Sequence, residues 1–184
     1  MAMAISLPHY TVDDLDRFPD DGNRYELLDG VLLVTPAPRA VHQLVANRIQ
    51  VDLSIALVKT GHAHVAGPGV VVRRPKTQLQ PDVLVYSAKY SPMTDWRKIS
   101  DHWLAVEVLS RSSRVYDREY KRDAYFKLGV RQVWLVDWRE RVVEVCKAIG
   151  KTRRVRDVIR WRAADAGVTV TLDLAEVFAG IDGE

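Results

Sequence analysis

One charged residue interrupts the most apolar stretch of this chain. Residues 103–109 read WLAVEVL, a run whose length and β-branched residues are typical of a strand buried on both faces, and Glu107 lies within it. An unpaired buried carboxylate is costly, so it finds a cationic partner, binds a metal ion or takes up a proton. Upstream, residues 81–86 (PDVLVY) repeat the pattern, with Asp82 at the head of an apolar strand. Two acids at positions where a buried strand favours valine are best explained by a shared cation.

The composition is that of an ordinary soluble globular protein. With 184 residues, 47% hydrophobic and 28% charged, one domain spanning residues 1–184 is expected. No apolar stretch reaches the roughly 18 residues of a membrane span, and residues 1–8 lack the basic and long apolar segments of a secretory signal. The single cysteine, Cys146, excludes an intrachain disulfide. A cytoplasmic protein with no membrane partner is predicted, and its net charge of +3 permits nucleic-acid binding without arguing for it.

Helical and strand-like segments alternate along the chain, and hairpins are also present. Asp29-Gly30 is a strong two-residue turn signal between strands at 24–28 and 31–35. A long amphipathic helix is predicted at 40–60, ending at Gly61. Further strands are predicted at 63–72 (interrupted at 67–69), 83–86, 103–109, 132–137, 141–148, 153–162 and 168–172, and further helices at 12–18, 115–128 and 174–178. This order predicts an α/β fold with a central mixed β-sheet flanked by helices, an additional N-terminal hairpin and additional C-terminal strands.

The helix that follows Glu107 carries an unusual pair of charges. On a wheel of about 100° per residue, an apolar face is formed by Tyr116, Tyr120, Ala124 and Leu128. Asp117 and Lys121 fall within the same arc, one turn apart, with Tyr125 a turn further on. A helix that follows a strand packs this face onto the sheet, so Lys121 is expected to point toward the strand that carries Glu107.

Asp82, Glu107 and Lys121 therefore form a plausible cluster of two acids and one amine. Two carboxylates can hold Mg²⁺ through oxygen ligands and leave positions for water and substrate. Such an ion lowers the pKa of a bound water and offsets charge on a phosphoryl oxygen. A lysine beside it can orient that water or stabilise negative charge in the transition state.

A series of motifs follows the same order along the chain. They are RYELLDG (24–30), PDV (81–83), VEVLS (106–110), DxxxKxxxY (117–125) and GVxxxWLVD (129–137). The series resembles the PD-(D/E)XK nuclease superfamily and, more narrowly, the Uma-two endonuclease family, first catalogued as domain of unknown function 820. The resemblance spans roughly residues 10–145, and the order of the motifs is specific although each alone is weak.

The resemblance implies a restriction-endonuclease-like fold and a set of catalytic residues. Asp82 and Glu107 would bind Mg²⁺, with Mn²⁺ as a substitute, and Glu26 would be an early acid near the metal. The superfamily pattern puts its lysine two residues after the strand acid, where this chain has Leu109. In the Uma-two group the amine has moved to the following helix, which makes Lys121 the replacement. The helical wheel reaches Lys121 without the family.

The function that the resemblance implies is metal-dependent hydrolysis of phosphodiester bonds by an endonuclease acting on DNA. A homodimer is expected because nucleases acting on duplexes tend to be two-fold symmetric. His42, at the start of the long helix, is a candidate for contact with water or phosphate. Asp117 and Tyr125 are secondary candidates beside Lys121.

Each candidate also has a structural explanation. Glu107 and Lys121 could form a buried ion pair without a metal, and Asp82 could cap a turn at a strand start. A non-catalytic nucleic-acid-binding or assembly module with the nuclease fold is the main alternative. Hydrolysis of another ester or of a glycoside through paired acids is weaker, because it leaves Lys121 without a role. The basic residues at 147–162 suit a phosphate-binding surface or a charged edge strand, and their alternation with apolar residues favours the edge strand.

Overall fold

The computed structural model describes residues 9–110 and 114–181. The expectation about a secretory signal concerns residues 1–8, which lie outside the described residues. The strands are β1 (Arg24–Leu28), β2 (Val31–Thr35), β3 (Ala63–Ala66), β4 (Val71–Arg73), β5 (Thr77–Leu79), β6 (Val83–Ser87), β7 (His102–Val108), β8 (Val133–Asp137), β9 (Val142–Ala148), β10 (Lys151–Val155), β11 (Val158–Ala163) and β12 (Val168–Asp173). The helices are α1 (Ala40–Leu57), α2 (Arg114–Tyr116), α3 (Arg122–Lys127) and α4 (Leu174–Val177). Short 3-10 helices occupy Val12–Arg17, Val58–Thr60, Trp96–Lys98 and Ala164–Ala166.

A six-stranded mixed sheet forms the centre of the fold, with strand order β10-β9-β8-β7-β6-β3. β7 and β8 are parallel and the other neighbouring strands are antiparallel. Every residue of β6, β7 and β8 is buried, as expected for central strands covered on both faces. The mixed α/β class predicted from the sequence is confirmed.

The predicted N-terminal hairpin is confirmed and extends into a second sheet. The φ angles of Asp29 and Gly30 are 50° and 88°, and this pair of left-handed residues closes a two-residue hairpin turn. β1 also pairs with β5, giving a four-stranded sheet of order β2-β1-β5-β4. β5 is not predicted from the sequence, because its three residues are too few to show a period.

One face of the central sheet is covered by α1 and by the β11-β12 hairpin. Val45, Ile49 and Leu53 of α1 recur every four residues and are fully buried, in one core cluster with Leu104 and Val106 of β7. The helix ends as predicted, with a final 3-10 turn and Gly61 in the left-handed conformation. No helix in the described part of the chain is long and apolar enough to cross a membrane.

Two predictions about individual elements are wrong. The strand predicted at 153–162 is split, because the chain bends at residues 156–157 and β10 and β11 join different sheets. β10 is an edge strand of the central sheet, whereas β11 alternates exposed arginines with buried Ile159 and Trp161. Tyr120, expected on the buried face of the helix after β7, is 54% exposed. The segment Asp117–Lys121 is a π-helix, which widens the turn and shifts the phase of the wheel.

Candidate active site

A cleft of about 350 Å³ opens at the end of the central sheet where β7 finishes. We call it the acid cleft, because four carboxylates line it together with several bases. Its polar residues are Arg24, Glu26, Thr35, Arg39, His42, Asp82, Glu107, Ser110, Asp117, Lys121 and Arg139. They come from β1, the end of β2, the start of α1 and the residue before it, the residue before β6, the end of β7 and the loop after it, the π-helical segment and the loop after β8. Residues more than ninety positions apart in the chain thus share one cleft.

Glu107 is held in place by two donors. Its Oε1 accepts a hydrogen bond from the Lys121 Nζ at 2.9 Å and another from the Tyr125 hydroxyl at 2.5 Å. Glu107 as a whole residue is 2% exposed, and Tyr125 is fully buried. Both donors come from the helical segment after β7, so the packing of this helix fixes the orientation of the carboxylate.

Lys121 lies among three carboxylates. Its Nζ is 2.8 Å from Glu26 Oε2, 2.9 Å from Glu107 Oε1 and 3.7 Å from Asp117 Oδ1. The second oxygen of Glu26 accepts a hydrogen bond from the Gln80 backbone N–H at 2.7 Å. Glu26 therefore links the amine to the segment that leads into β6.

Asp82 lies beside Glu107 because of the strand register. Val83 pairs with Val106 in the antiparallel β6-β7 ladder, and continuing this register by one residue brings Asp82 opposite Glu107. Side chains directly opposite in such a pair lie on the same face of the sheet with their Cβ atoms about 5 Å apart. The Val108 backbone N–H donates to Asp82 Oδ2 at 2.8 Å, so the chain at this point is tied to the end of β7.

Two bases also contact the Asp82 carboxylate. Arg24 Nη1 donates to Oδ1 at 3.0 Å and to the Gln80 carbonyl oxygen at 3.0 Å. His42 Nε2 lies 3.1 Å from Oδ2. Burial opposes ionisation of Asp82, but the His42 hydrogen bond and charge, the Arg24 charge and the Val108 N–H together lower its pKa. Asp82 is therefore an anion at neutral pH.

The electrostatics of Glu107 are different. Burial raises its pKa to about 8; Lys121 acts against this, while the neighbouring carboxylates of Asp117, Asp82 and Glu26 add to it. Burial also disfavours the Lys121 ammonium, yet the three carboxylates around it prevail and raise its pKa. Burial is thus the main reason that Glu107 retains its proton, while the same carboxylates keep Lys121 charged.

The structure brings the predicted site residues together. Glu26, His42, Asp82, Glu107, Asp117 and Lys121 all line the acid cleft, and Tyr125 contacts Glu107 from behind it. His42 is buried against Asp82 rather than lying on the helix surface. Arg24 is not among the predicted site residues, although its spacing of two residues from Glu26 within a strand places both on one face. Arg39 and Arg139 are not predicted either, because they line the cleft from loops with no periodic pattern.

The donors suit a hard divalent cation. Within residues 9–110 and 114–181, no group of three or more His, Cys, Asp or Glu side chains is arranged to enclose a metal ion. Asp82 and Glu107 nevertheless offer carboxylate oxygens, the ligands that Mg²⁺ takes while it keeps several waters. Burial raises the pKa of Glu107, and a cation bound beside it would favour the ionised carboxylate.

A mixed sheet with facing acids on adjacent strands and a lysine on the next helix defines a mixed α/β protein with an acid-lined cleft. Within that class, the chain belongs to the Uma2 family, described as "putative restriction endonuclease", whose sequence model matches residues 12–176.

The fold agrees with a solved structure. A crystal structure of "a putative nuclease belonging to DUF820" from Anabaena variabilis superposes with a TM-score of 0.75 at 16% sequence identity. The match covers 92% of this chain and 97% of that one. No protein with a curated function matches this sequence.

Proposed function

We propose that this protein is a metal-dependent endonuclease that hydrolyses phosphodiester bonds in DNA. The observation that carries the proposal is the meeting of Asp82, Glu107 and Lys121 in one cleft, from three separate elements of the fold. Family membership supports the nuclease class. Acids with a neighbouring amine are the groups that phosphoryl chemistry requires for binding a cation and for stabilising charge.

Asp82 and Glu107 would hold the ion, Mg²⁺ with Mn²⁺ as a substitute. When bound, the ion supplies Lewis acidity at a phosphoryl oxygen and lowers the pKa of a coordinated water. Tyr125 and Lys121 fix one oxygen of Glu107, and the Val108 N–H fixes one oxygen of Asp82. The two carboxylates are therefore oriented before any ligand arrives, which lowers the entropic cost of binding.

Lys121 would position the attacking water and stabilise the negative charge that develops on the phosphoryl oxygens. Its raised pKa keeps the amine protonated at neutral pH. Glu26 and Asp117 are positioning residues in this scheme, because their carboxylates hold the ammonium in the cleft. Glu26 is in turn held by the Gln80 backbone, so the amine has a rigid support.

Bases around the cleft would bind the phosphate backbone. Arg24, Arg39 and Arg139 line it from three separate parts of the chain, and guanidinium groups suit phosphate oxygens. The His42 Nδ1 atom is buried and has no hydrogen-bond partner among the described residues. That atom is available to a water or a phosphate oxygen of the substrate.

We further propose a homodimer. Cleavage of both strands of a duplex needs two acid clefts related by a two-fold axis, and such closed symmetry is the commonest form of assembly. Size-exclusion chromatography with light scattering tests this part independently of activity.

The function is tested with supercoiled plasmid, linear duplex and single-stranded DNA, each with Mg²⁺, Mn²⁺ or EDTA. The wild type should cleave only with a divalent ion, and Asp82→Asn, Glu107→Gln and Lys121→Met should each lower the rate by at least about 100-fold. Lys127→Ala is the matched control, since this lysine is exposed on the same helical segment. Cleavage by Lys121→Met at the wild-type rate would remove Lys121 from the mechanism.

Metal binding separates an enzyme from a binding module. Calorimetric titration with Mn²⁺ should show binding to the wild type that is lost in Asp82→Asn and in Glu107→Gln. A module that only binds DNA would retain its affinity without any metal. A purely structural ion pair would give variants that unfold more easily while the wild type neither binds Mn²⁺ nor cleaves DNA.

A further inference from the structure

A second depression adjoins the acid cleft. We call it the amide groove, because Gln43, Asn47 and Gln50 of α1 line it. Its volume is about 560 Å³, and its opposite wall includes Gly67 and Pro68. Arg24 and Asp82 line both depressions, so the two spaces meet at these side chains.

The three amides form one row along α1. Their spacing of four and then three residues places them on a single face of α1. Gln43 and Asn47 are exposed and Gln50 is half-buried. In the part of the chain that the structure describes, none of the three side-chain amides makes a hydrogen bond. Each therefore retains its donors and its acceptor for a ligand.

Charge is distributed unequally between the two depressions. Arg39 and Arg139 line the acid cleft but not the amide groove. The groove carries one cation and one anion, Arg24 and Asp82, and these pair with each other. A phosphate is drawn to concentrated positive charge, whereas a nearly neutral surface of amide donors and acceptors suits the edge of a nucleobase.

The wall opposite α1 fits closely against these amides. A Cβ atom added at Gly67 would lie 2.3 Å from Gln50 Oε1. Glycine at this position therefore allows Gln50 to lie across the base of the groove. Any larger residue would push the amide out of its present place.

We propose that the amide groove binds a nucleobase of the DNA strand next to the phosphate held in the acid cleft. The inference rests on the proposed function and names a base-contacting subsite for it. Gln43 and Asn47 are the specificity-determining residues, since both are exposed and can approach a base edge. Arg24, at the junction of the two depressions, contacts Asp82 and Gln80 through Nη1, and its guanidinium would contact the intervening phosphate.

The test compares two proteins on two DNA probes. Affinities of wild type and Gln43→Ala/Asn47→Ala are measured by fluorescence anisotropy, with Ca²⁺ in place of Mg²⁺ to prevent cleavage. One probe is a labelled single strand of mixed sequence, and the other has the same backbone with its central bases replaced by abasic sites. Gln132→Ala is the control, an amide that lines neither depression.

The double variant should bind the normal strand about tenfold more weakly than wild type, the effect of one good side-chain-to-base contact. On the abasic strand the two proteins should have equal affinity. This probe lacks the base that the amides would contact, so removal of the amides costs nothing further. Equal loss on both probes would overturn the subsite and leave the nuclease proposal standing. Failure of the wild type to bind any probe at low salt would overturn both.

Discussion

Replacement of Glu107 by glutamine should change how the stability of the protein depends on pH. The glutamine keeps the volume of the side chain and resembles the protonated carboxyl, and its Oε1 can still accept hydrogen bonds from Lys121 and Tyr125. Burial raises the Glu107 pKa from an ordinary 4.5 to about 8. Between these values the folded protein retains a proton that the unfolded chain has released.

The sign of the effect follows from this difference. The contribution of Glu107 to the free energy of unfolding is complete below pH 4.5 and is lost as the pH rises through 8. At about 1.4 kcal/mol per pH unit, the interval corresponds to a loss of at most about 5 kcal/mol. The pKa of Asp82 is lowered, so the titration of Asp82 changes the free energy of unfolding only below its ordinary pKa of 3.8. The pKa of Lys121 is raised, so this amine stays charged over the whole pH range in which Glu107 titrates.

Urea unfolding of both proteins from pH 5 to pH 8 measures the difference. The free energy of unfolding of Glu107→Gln should rise by several kcal/mol relative to that of the wild type as the pH rises. Contributions of the other titrating groups are the same in both proteins and cancel in the comparison. At pH 8, Mg²⁺ should restore stability to the wild type but not to the variant, because ion binding favours the charged carboxylate. Parallel stability curves for the two proteins would refute the account of a buried, proton-retaining Glu107.

Three further changes have defined outcomes. Tyr125→Phe removes the hydroxyl that donates to Glu107 at 2.5 Å and should lower the free energy of unfolding by about 1–3 kcal/mol in urea titrations. Burial lowers the pKa of His102 to about 4. The free energy of unfolding of the wild type should therefore fall by up to about 3 kcal/mol as the pH falls from 6.5 to 4. Calorimetric melts of His102→Leu should not show this loss. Gly30→Ala forces a side chain into a left-handed turn residue, φ 88°, 3.0 Å from His9 Nδ1; a stability decrease of about 1–2 kcal/mol is expected, and an unchanged melting temperature would contradict it.

Most of the secondary structure could be predicted because local signals were strong. Asp29-Gly30 specified a hairpin turn through its backbone preferences, and Gly61 specified the end of α1. The errors occurred where local signals were weak or ambiguous. A run of alternating arginines and apolar residues looked continuous, but the bend at 156–157 assigns its halves to different sheets. The three residues of β5 gain their structure from pairing with β1 and β4 rather than from their own pattern.

The site residues also divide into those with a clear signal in the sequence and those without one. Glu107 attracted notice because its surroundings are apolar, and Lys121 because it lies on the apolar arc of a helix. Arg24 gave no such signal, since a half-buried arginine in a strand is ordinary until its partner is known. Its contact with Asp82 spans 58 positions in the chain. Tyr120 was misplaced because the wheel assumed an α-helix where the chain forms a π-helix.

Composition and local pattern determined which side chains this protein must bury. An acid within a fully apolar strand cannot reach solvent when both faces of its sheet are covered. Tertiary structure alone decided what those side chains contact. The register of β6 against β7 brings Asp82 opposite Glu107, and the π-helical turn sets Lys121 between Glu26 and Glu107. Distances of this kind depend on pairing between remote segments, which no property of a single segment encodes.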